Sequence, residues 1–465
     1  MNTEWDVVVV GAGPGGYPAA IRAAQLGLKT ACIEQDKLGG VCLNWGCIPS
    51  KALLKTAELA HKIRRAGEFG LRVPSLDIDF PAVVERSRKV AQRHERGVGG
   101  LFKKYGVTPI TGTAKLVAPG QVQVGDDTRS PLDRSGLLSA RHVVVATGAR
   151  AKVFPGIEVD GERVVTYREA IVRTDRPSKV TVLGAGAIGL EFAYFWSAMG
   201  AEVTVVEGLP EILPREDAEV AKEARKHLEK AGIAFRLGTF VQTAARDGDG
   251  AVVVLKDGTK LASDLVLVAL GIAPNTAGIG LEEVGVKLDR GFVPVDASMA
   301  TSVPGIYAVG DITPQGGLAH TATRQGELCV ERIAGHHVAD LDYGAIPSCT
   351  YCQPQVASVG LTEAAARAKN IKFKVGKFPF LANGKAQGAG EPEGFVKVLL
   401  GDPHGEIVGA HIVGFEATEM IAEFGLARSA ELTSDEILHA VHAHPTFAEA
   451  MYEAVAQALG QTVHI

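Results

Sequence analysis

The sequence predicts an α/β protein of about three domains, because 465 residues exceed what one ordinary hydrophobic core accommodates. Two segments, residues 6–25 and 179–199, each combine an apolar run, the pattern GxGxxG and a helix-forming stretch. From about residue 343, strands and helices alternate without such a pattern. We therefore expect two Rossmann-like, dinucleotide-binding units followed by a C-terminal α+β domain.

The composition is that of a globular protein, with 46% hydrophobic and 22% charged residues. A net charge of -5 provides no overall basic surface for nucleic acid or an anionic membrane. No apolar stretch approaches the length of a transmembrane helix, and the first residues lack the pattern of a signal or transit peptide. We expect a cytoplasmic protein that acts on small molecules, with neither nucleic-acid nor membrane partners.

The first glycine pattern follows an apolar run that is typical of a buried parallel strand. Its glycines, Gly11, Gly13 and Gly16, allow a tight turn, a pyrophosphate against the backbone and close packing of helix on strand. A second strand over 29–33 precedes Glu34, whose carboxylate can accept hydrogen bonds from a ribose. Together these features predict a bound dinucleotide, whereas the glycine pattern alone also fits a turn that binds nothing.

The second pattern repeats this arrangement with Gly184, Gly186 and Gly189, and its second strand ends in Glu207. Two such units in one chain predict two dinucleotides. An acidic residue at this position holds a ribose 2′-hydroxyl and repels a 2′-phosphate, so the second cofactor is predicted to be NAD rather than NADP. We interpret Arg215, a little further on, as a surface arginine because no other basic residues cluster beside Glu207.

Cys42 and Cys47 lie in the segment GGVCLNWGCIPSK, which runs into a helix-like stretch. On a regular helix this spacing separates the two α-carbons by about 7.5 Å of rise and places them on different faces, so a bridge needs a distorted turn. A strained, closely spaced disulfide of this kind is easily reduced. A helix N-terminus beside the pair would stabilise a thiolate. The spacing favours redox cycling over stapling, and two unrelated buried cysteines are the alternative.

The other cysteines are interpreted as buried and inert. They are Cys32, Cys329, Cys349 and Cys352. The pair Cys349-x-x-Cys352 could form a second redox pair or half of a zinc site, but no partner CxxC follows it and its context is strand-like. No metal is therefore predicted.

His444 and Glu449, near the C-terminus, have the side chains needed for proton transfer. Histidine carries protons near neutral pH, and a carboxylate on its second nitrogen fixes the tautomer and stabilises the charged form. Pro445 and Thr446 are turn residues that let a following helix present Glu449 to the imidazole. An isolated histidine is more often an ordinary core or surface residue, and His442 is interpreted as structural.

A series of segments in the same order resembles the flavin-dependent pyridine nucleotide-disulfide oxidoreductases, over essentially the whole chain. They are the two glycine patterns, GGVCLNWGCIPSK, HVVVATGA, GIYAVGD and HAHPTFAE. The resemblance implies FAD in the first unit, with Thr147, Gly148 and Asp311 among its contacts, and NAD in the second. It implies the domain order FAD-binding, first part (1–149), NAD-binding (150–273), FAD-binding, second and central part (274–342), and dimerisation (343–465).

The same resemblance implies roles for the site residues. Cys42 is expected to be the outer sulfur and Cys47 the sulfur against the flavin, with His444 as catalytic base and Glu449 as its partner. In the family each site borrows its histidine from the other subunit, so the resemblance implies a homodimer.

Lys51 is expected to approach the flavin ring, where a cation stabilises the negative charge of the reduced form. In the family this lysine pairs with a glutamate just after the second glycine pattern, and Glu191 is the matching residue. Two solvated charges are the alternative, but a cation near a buried flavin requires a counter-charge.

The family contains several substrate classes, and elimination favours dihydrolipoyl groups. The glutathione and trypanothione reductases use NADPH, which Glu207 disfavours. Mercuric reductases carry an extra C-terminal cysteine pair, which GQTVHI lacks, and the soluble transhydrogenases lack the complete pair at Cys42 and Cys47. No lipoyl-bearing domain precedes Trp5, so the group is expected on a separate acyltransferase or carrier protein of a 2-oxoacid dehydrogenase or glycine cleavage complex. The alternatives are an NADH-dependent reductase of another disulfide and a structural flavoprotein of a complex.

Overall fold

The computed structural model describes residues 5–125 and 136–465, which divide into two compact units. Unit 1 takes its described residues from Met1–Ala52, Ala82–Lys152 and Gly271–Leu341. Unit 2 consists of Leu53–Pro81, Val153–Leu270 and Asp342–Ile465.

The described residues form 22 β-strands. They are β1 (Trp5–Val10), β2 (Thr30–Glu34), β3 (Thr108–Thr111), β4 (Thr113–Ala118), β5 (Gln121–Gly125), β6 (Leu137–Val145), β7 (Ala149–Ala151), β8 (Val164–Val165), β9 (Lys179–Leu183), β10 (Glu202–Val206), β11 (Ile233–Arg236), β12 (Val241–Asp247), β13 (Gly250–Leu255), β14 (Lys260–Ser263), β15 (Leu265–Val268), β16 (Ile272–Pro274), β17 (Ile306–Ala308), β18 (Ser348–Thr350), β19 (Gln355–Gly360), β20 (Phe373–Pro379), β21 (Phe395–Gly401) and β22 (Ile407–Gly414).

The α-helices follow the same order. They are α1 (Gly16–Gln25), α2 (Gly40–Asn44), α3 (Cys47–Arg64), α4 (Phe80–Tyr105), α5 (Tyr167–Ala170), α6 (Ala187–Ala198), α7 (Ala218–Lys230), α8 (Ala319–Ile333), α9 (Glu363–Ala368), α10 (Gly384–Ala389), α11 (Ala417–Ser429), α12 (Ser434–His439) and α13 (Glu449–Ala458). Among the residues described, no helix is both long and apolar enough to cross a membrane.

Unit 1 is built on a parallel sheet with the strand order β3-β2-β1-β6-β17. An antiparallel extension, β5 and β4, continues from β6. Along β1, Val8 and Val10 pack into one apolar cluster, while Val7 and Val9 pack into another. Because the strand is buried on both faces, its sequence is a continuous apolar run rather than an alternating one.

Unit 2 contains a second parallel sheet, with the order β11-β10-β9-β15-β8. The second glycine pattern joins β9 to α6, a helix that is buried on nearly all sides. The prediction of two Rossmann-like units is therefore confirmed. The predicted strand 29–33 is shifted by one residue, so that Glu34 ends β2 instead of following it.

The C-terminal part of unit 2 is an antiparallel sheet with the order β18-β19-β22-β21-β20. Helices α11 and α13 cover it and share one apolar cluster with β21 and β22. Both of these central strands are buried at every position. This arrangement confirms the predicted α+β domain.

A buried cation joins this sheet to α7, the helix that follows β10 in the second Rossmann-like unit. Lys397 on β21 is 1% exposed, and its Nζ donates to Asp217 Oδ1 at 3.0 Å, Glu219 Oε1 at 2.8 Å and Glu363 Oε2 at 2.7 Å. Burial by itself would raise the pKa of Asp217, but the bond from Lys397, the bond from the Glu363 N–H and the nearby positive charges together lower that pKa. The three carboxylates are therefore held charged around a desolvated ammonium group.

Replacing Lys397 with Met leaves the buried Asp217 carboxylate without its cation, so we expect the free energy of unfolding at pH 7 to fall by about 3–5 kcal/mol. Chemical denaturation measures the loss. Because the pKa values of Asp217, Glu219 and Glu363 are lowered, their contribution is lost as the pH falls below about 4, and the difference should shrink there. Lys377→Met, at an exposed ion pair with Glu219, is the control, with an expected loss below about 1 kcal/mol. Equal losses in the two variants would contradict this account.

Candidate active site

Cys42 and Cys47 form a disulfide in unit 1. Cys42 lies in the short helix α2, the chain leaves helical geometry at Trp45, and Cys47 begins α3. This break brings the two α-carbons to 4.7 Å, a separation that a continuous helix would not give. The expected distorted turn is therefore present, and the alternative of two unrelated buried cysteines is wrong.

Cys47 is positioned for thiolate chemistry. It is the first residue of an 18-residue helix, and the positive end of the helix dipole stabilises an anion there. Both cysteines are half-buried, so the disulfide is accessible without being fully solvated. The pair can open to release a stabilised thiolate at Cys47.

Asn44 holds the segment that carries the cysteines. Its buried side-chain amide donates to the carbonyls of Leu38 and Gly40, each at 3.0 Å. The guanidinium of Arg88, on α4, donates to the carbonyl of Asn44. Neither residue is predictable from the sequence as a support, because an asparagine inside a cysteine motif and an arginine on a charged helix give no sign of their partners.

The cysteine segment lies directly against the first glycine loop. The Gly39 N–H donates to the Ala12 carbonyl at 2.8 Å. Gly40 has a φ of +58°, and a Cβ there would come within 2.7 Å of the Gly13 Cα. Two backbones thus meet at a distance that only glycine permits.

The first glycine loop has the form of a phosphate cradle. Gly11 has a φ of +97°, and a Cβ on Gly16 would lie 1.8 Å from the Gly11 carbonyl oxygen. The Cβ direction of Gly13 has no neighbour closer than 4.0 Å, so the backbone there is open to a ligand. This loop therefore fits a dinucleotide pyrophosphate at the start of α1.

Glu34 closes the loop from the neighbouring strand. Its carboxylate accepts the N–H of Ala12 at 2.8 Å and the N–H of Asp36 at 2.9 Å. Burial raises the pKa of Glu34, although these bonds oppose the rise. Each oxygen keeps a second lone pair for a ribose hydroxyl.

The second glycine loop repeats this geometry in unit 2. Glu207 accepts the N–H of Ala185 at 2.8 Å and that of Leu209 at 2.9 Å. Gly184 has a φ of +104°, and a Cβ on Gly189 would lie 2.0 Å from the Gly184 carbonyl oxygen, while Gly186 faces open space. Two equivalent nucleotide cradles are thus present, one in each unit.

Thr147, Gly148 and Asp311 also lie in unit 1. The Thr147 hydroxyl donates to the Asn275 carbonyl at 2.8 Å, and the Asn275 amide donates back to the Thr147 carbonyl at 3.0 Å. Gly148, with a φ of +67°, accepts the Asn275 N–H through its carbonyl. Asp311 accepts the Gly317 N–H at 2.8 Å, and burial raises its pKa.

His444 and Glu449 form a hydrogen-bonded pair in unit 2. The His444 Nδ1 lies 2.8 Å from Glu449 Oε1, and Glu449 Oε2 accepts the Thr446 N–H at 2.7 Å. Burial by itself would raise the pKa of Glu449, but the bonds from Thr446 and His444 outweigh it and lower that pKa. The imidazole is largely exposed, so its Nε2 is available to a substrate proton.

His442 has a different environment. Its Nε2 lies 2.9 Å from Glu423 Oε1 and its Nδ1 lies 3.1 Å from the Ala440 carbonyl oxygen. Both ring nitrogens are therefore engaged within the chain, as expected for a structural histidine.

The structure also places Glu191, Lys51 and Arg215, the remaining residues that the sequence singled out. Glu191 is buried in unit 2 and accepts the Tyr351 N–H at 3.2 Å, whereas the Lys51 Nζ, in unit 1, donates to the Ser50 hydroxyl at 3.4 Å. Their pairing stays a prediction. Arg215 is exposed, as expected.

Three of the four other cysteines, Cys32, Cys329 and Cys352, are buried, and burial raises the thiol pKa of the first two. Cys349 is only half-buried, so the expectation of burial is wrong for it. Within residues 5–125 and 136–465, no group of side chains is arranged to hold a metal.

Comparison with known families decides the class of protein. The sequence pattern of the family described as "Pyridine nucleotide-disulphide oxidoreductase" matches residues 5–326, and that of its dimerisation domain matches residues 346–455. The chain belongs to the pyridine nucleotide-disulphide oxidoreductase family. The cofactors of this oxidoreductase are therefore FAD and NAD.

Individual members of this family are similar to this chain over its whole length. The chain is 46% identical to the dihydrolipoyl dehydrogenase of Rhizobium etli and 44% identical to that of Zymomonas mobilis, with both chains covered completely in each case. Among solved structures, LpdA from Mycobacterium tuberculosis matches with a TM-score of 0.90 and 28% identity, covering 97% of this chain and 99% of the other. The fold and the family are therefore the same.

Proposed function

We propose that this oxidoreductase is a dihydrolipoyl dehydrogenase, which oxidises dihydrolipoyl groups to lipoyl groups and reduces NAD+ to NADH. The observation that supports this most directly is the Cys42–Cys47 disulfide, set at the start of α3 and against a dinucleotide cradle. Full-length relatives at 40–46% identity carry this name.

The two cofactors would be held by the residues of the two cradles. For FAD these are Gly11, Gly13, Gly16, Glu34, Lys51, Thr147, Gly148 and Asp311. For NAD they are Gly184, Gly186, Gly189, Glu191 and Glu207. When bound, FAD supplies two-electron transfer between the cysteine pair and NAD+. Residues 1–149 and 274–342 would then form the FAD-binding domain, residues 150–273 the NAD-binding domain and residues 343–465 the dimerisation domain.

The protein's own residues carry the thiol chemistry. His444 Nε2 takes a proton from one substrate thiol, and the resulting thiolate attacks the Cys42 sulfur. The Cys42–Cys47 bond breaks, and Cys47 leaves as a thiolate that the α3 N-terminus stabilises. The second substrate thiol then closes the lipoyl ring by attacking the substrate sulfur bonded to Cys42. Cys42 leaves as a thiol and the substrate has lost two electrons and two protons.

Glu449 controls the proton that moves in this sequence. Because it engages Nδ1, it keeps that nitrogen protonated in the neutral ring and leaves Nε2 as the base. Its charge also stabilises the imidazolium that forms once the proton has been taken.

We expect the enzyme to work as a homodimer in the cytoplasm. The match to the dimerisation domain supports a dimer, and the family resemblance favours a site that combines the cysteines of one subunit with His444 of the other. The protein substrate would be a lipoyl-bearing acyltransferase or carrier protein of a multienzyme complex.

The purified yellow protein should form NADH rapidly from free dihydrolipoamide and NAD+, measured at 340 nm. Reduced glutathione in place of dihydrolipoamide, and NADP+ in place of NAD+, should give little turnover, because Glu207 disfavours a 2′-phosphate. Bound flavin without any turnover of dihydrolipoamide would exclude the proposed substrate and leave the fold unaffected.

Replacing Glu449 with Gln should lower kcat for dihydrolipoamide by roughly 10- to 100-fold, because an amide can donate to Nδ1 and so favour the wrong tautomer. Glu423→Gln is a matched control, since Glu423 pairs with His442, two residues away from His444. We expect it to change kcat by less than about twofold. Equal losses in both variants would contradict the assignment of the base.

A further inference from the structure

We propose that one face of α4 docks an acidic protein, the carrier that presents the dihydrolipoyl group. This inference deepens the proposed function and rests on it. The face carries a row of exposed cations that neither the cradles nor the disulfide chemistry uses. We call this row the basic stripe.

The basic stripe is continuous along the helix. With about 100° per residue, its members fall within an arc of roughly 100° and extend over about 27 Å. Each side chain is exposed. The members are Arg86, Lys89, Arg93, Arg96, Lys103 and Lys104.

The charge of this face differs in sign from that of the chain, whose net charge is -5. Only two acidic residues, Glu85 and Glu95, lie on α4. Glu85 pairs with Lys89 at 2.7 Å, and Glu95 is half-buried and lies outside the arc. Among the described residues, no other member of the basic stripe has an ion-pair partner. The stripe is therefore a local positive surface on an acidic protein.

Two glycines on or beside the same arc are not explained by packing within the chain. A Cβ on Gly97 or Gly100 would meet nothing within 4 Å, and neither residue has a positive φ. Glycine lowers the stability of a helix relative to alanine, and no contact within the chain requires glycine at these two positions. A partner that approaches the helix closely supplies the missing reason.

The N-terminal end of the basic stripe lies beside the contacts between α4 and the segment that carries Cys42 and Cys47. Arg86 donates to the Ala52 carbonyl of α3 at 3.0 Å. Two positions further along α4, the half-buried Arg88 donates to the Asn44 carbonyl. Beside the stripe, a cleft of about 560 Å³ opens between Leu38 and residues Gln92, Glu95, Arg96 and Gly99 of α4. A carrier bound along α4 would thus lie next to the elements that hold Cys42 and Cys47.

An acidic protein fits this surface better than the other possible occupants. Two copies of the stripe facing each other across a two-fold axis would set cation against cation, which opposes association. A nucleic acid would also match the charge of the stripe, and the competition experiment below distinguishes it from a protein. The proposed substrate group, in contrast, is attached to a protein that must dock for each turnover.

The test compares two substrates of the full-length holoenzyme. One is a recombinant, dihydrolipoylated carrier domain with a net negative charge, and the other is free dihydrolipoamide. In the variant Arg93→Glu/Arg96→Glu, we expect the KM for the carrier to rise on the order of tenfold at low salt, and the kinetics with free dihydrolipoamide to stay unchanged. At about 0.5 M salt the difference should largely vanish.

Lys260→Glu/Lys287→Glu is the control, because both lysines are exposed and lie outside α4. It should leave the KM for the carrier unchanged. A rise equal to that of the stripe variant would overturn the proposal, as would an unchanged KM in the stripe variant.

A second variant, Gly97→Gln/Gly100→Gln, tests the close approach without altering charge. It should also raise the KM for the carrier alone, and an unchanged value would count against a partner on this face. Competition by a duplex oligonucleotide at the same concentration as the carrier would identify a general polyanion site and overturn the proposal. If wild-type protein fails to oxidise free dihydrolipoamide, the proposed function is wrong, and direct binding of the carrier by calorimetry still decides whether the stripe docks it.

Discussion

The contact between Gly40 and Gly13 is the constraint on which the redox site depends. A Cβ on Gly40 would lie 2.7 Å from the Gly13 Cα, so two backbone segments meet where no side chain fits. Because Gly13 belongs to the first nucleotide cradle and Gly40 begins the helix of Cys42, the disulfide is built directly onto the cradle. Backbone packing alone thus places the redox-active cysteines beside the loop that would hold the dinucleotide.

Carboxylates organise the two cradles in the same way. Glu34 and Glu207 each end or follow the second strand of their unit, and each accepts the N–H of the residue after the first glycine. Each therefore fixes the glycine turn before any nucleotide binds. The repeated geometry explains how one sequence pattern gives two sites with related ligands.

Much of this arrangement is predictable from local sequence, and the rest depends on distant partners. Both Rossmann-like units follow from apolar runs and glycine spacing. Lys397 could not be identified in this way, because a lysine in a strand normally points to solvent and its partners Asp217, Glu219 and Glu363 are far away in sequence. The bond from Arg88 to the Asn44 carbonyl is hidden for the same reason, because the two residues lie 44 positions apart. The pairing of Lys51 with Glu191 beside the flavin ring remains a prediction.

The mechanism requires that the substrate dithiol reduces the Cys42–Cys47 disulfide and that NAD+ restores it. The most direct measurement is a count of thiols after acid denaturation, with anaerobic trapping. The four free cysteines of the oxidised protein predict four thiols per chain. One equivalent of dihydrolipoamide should raise the count to all six cysteines, and excess NAD+ should return it to four with formation of one equivalent of NADH. A count that stays at four after dihydrolipoamide is added would contradict the account.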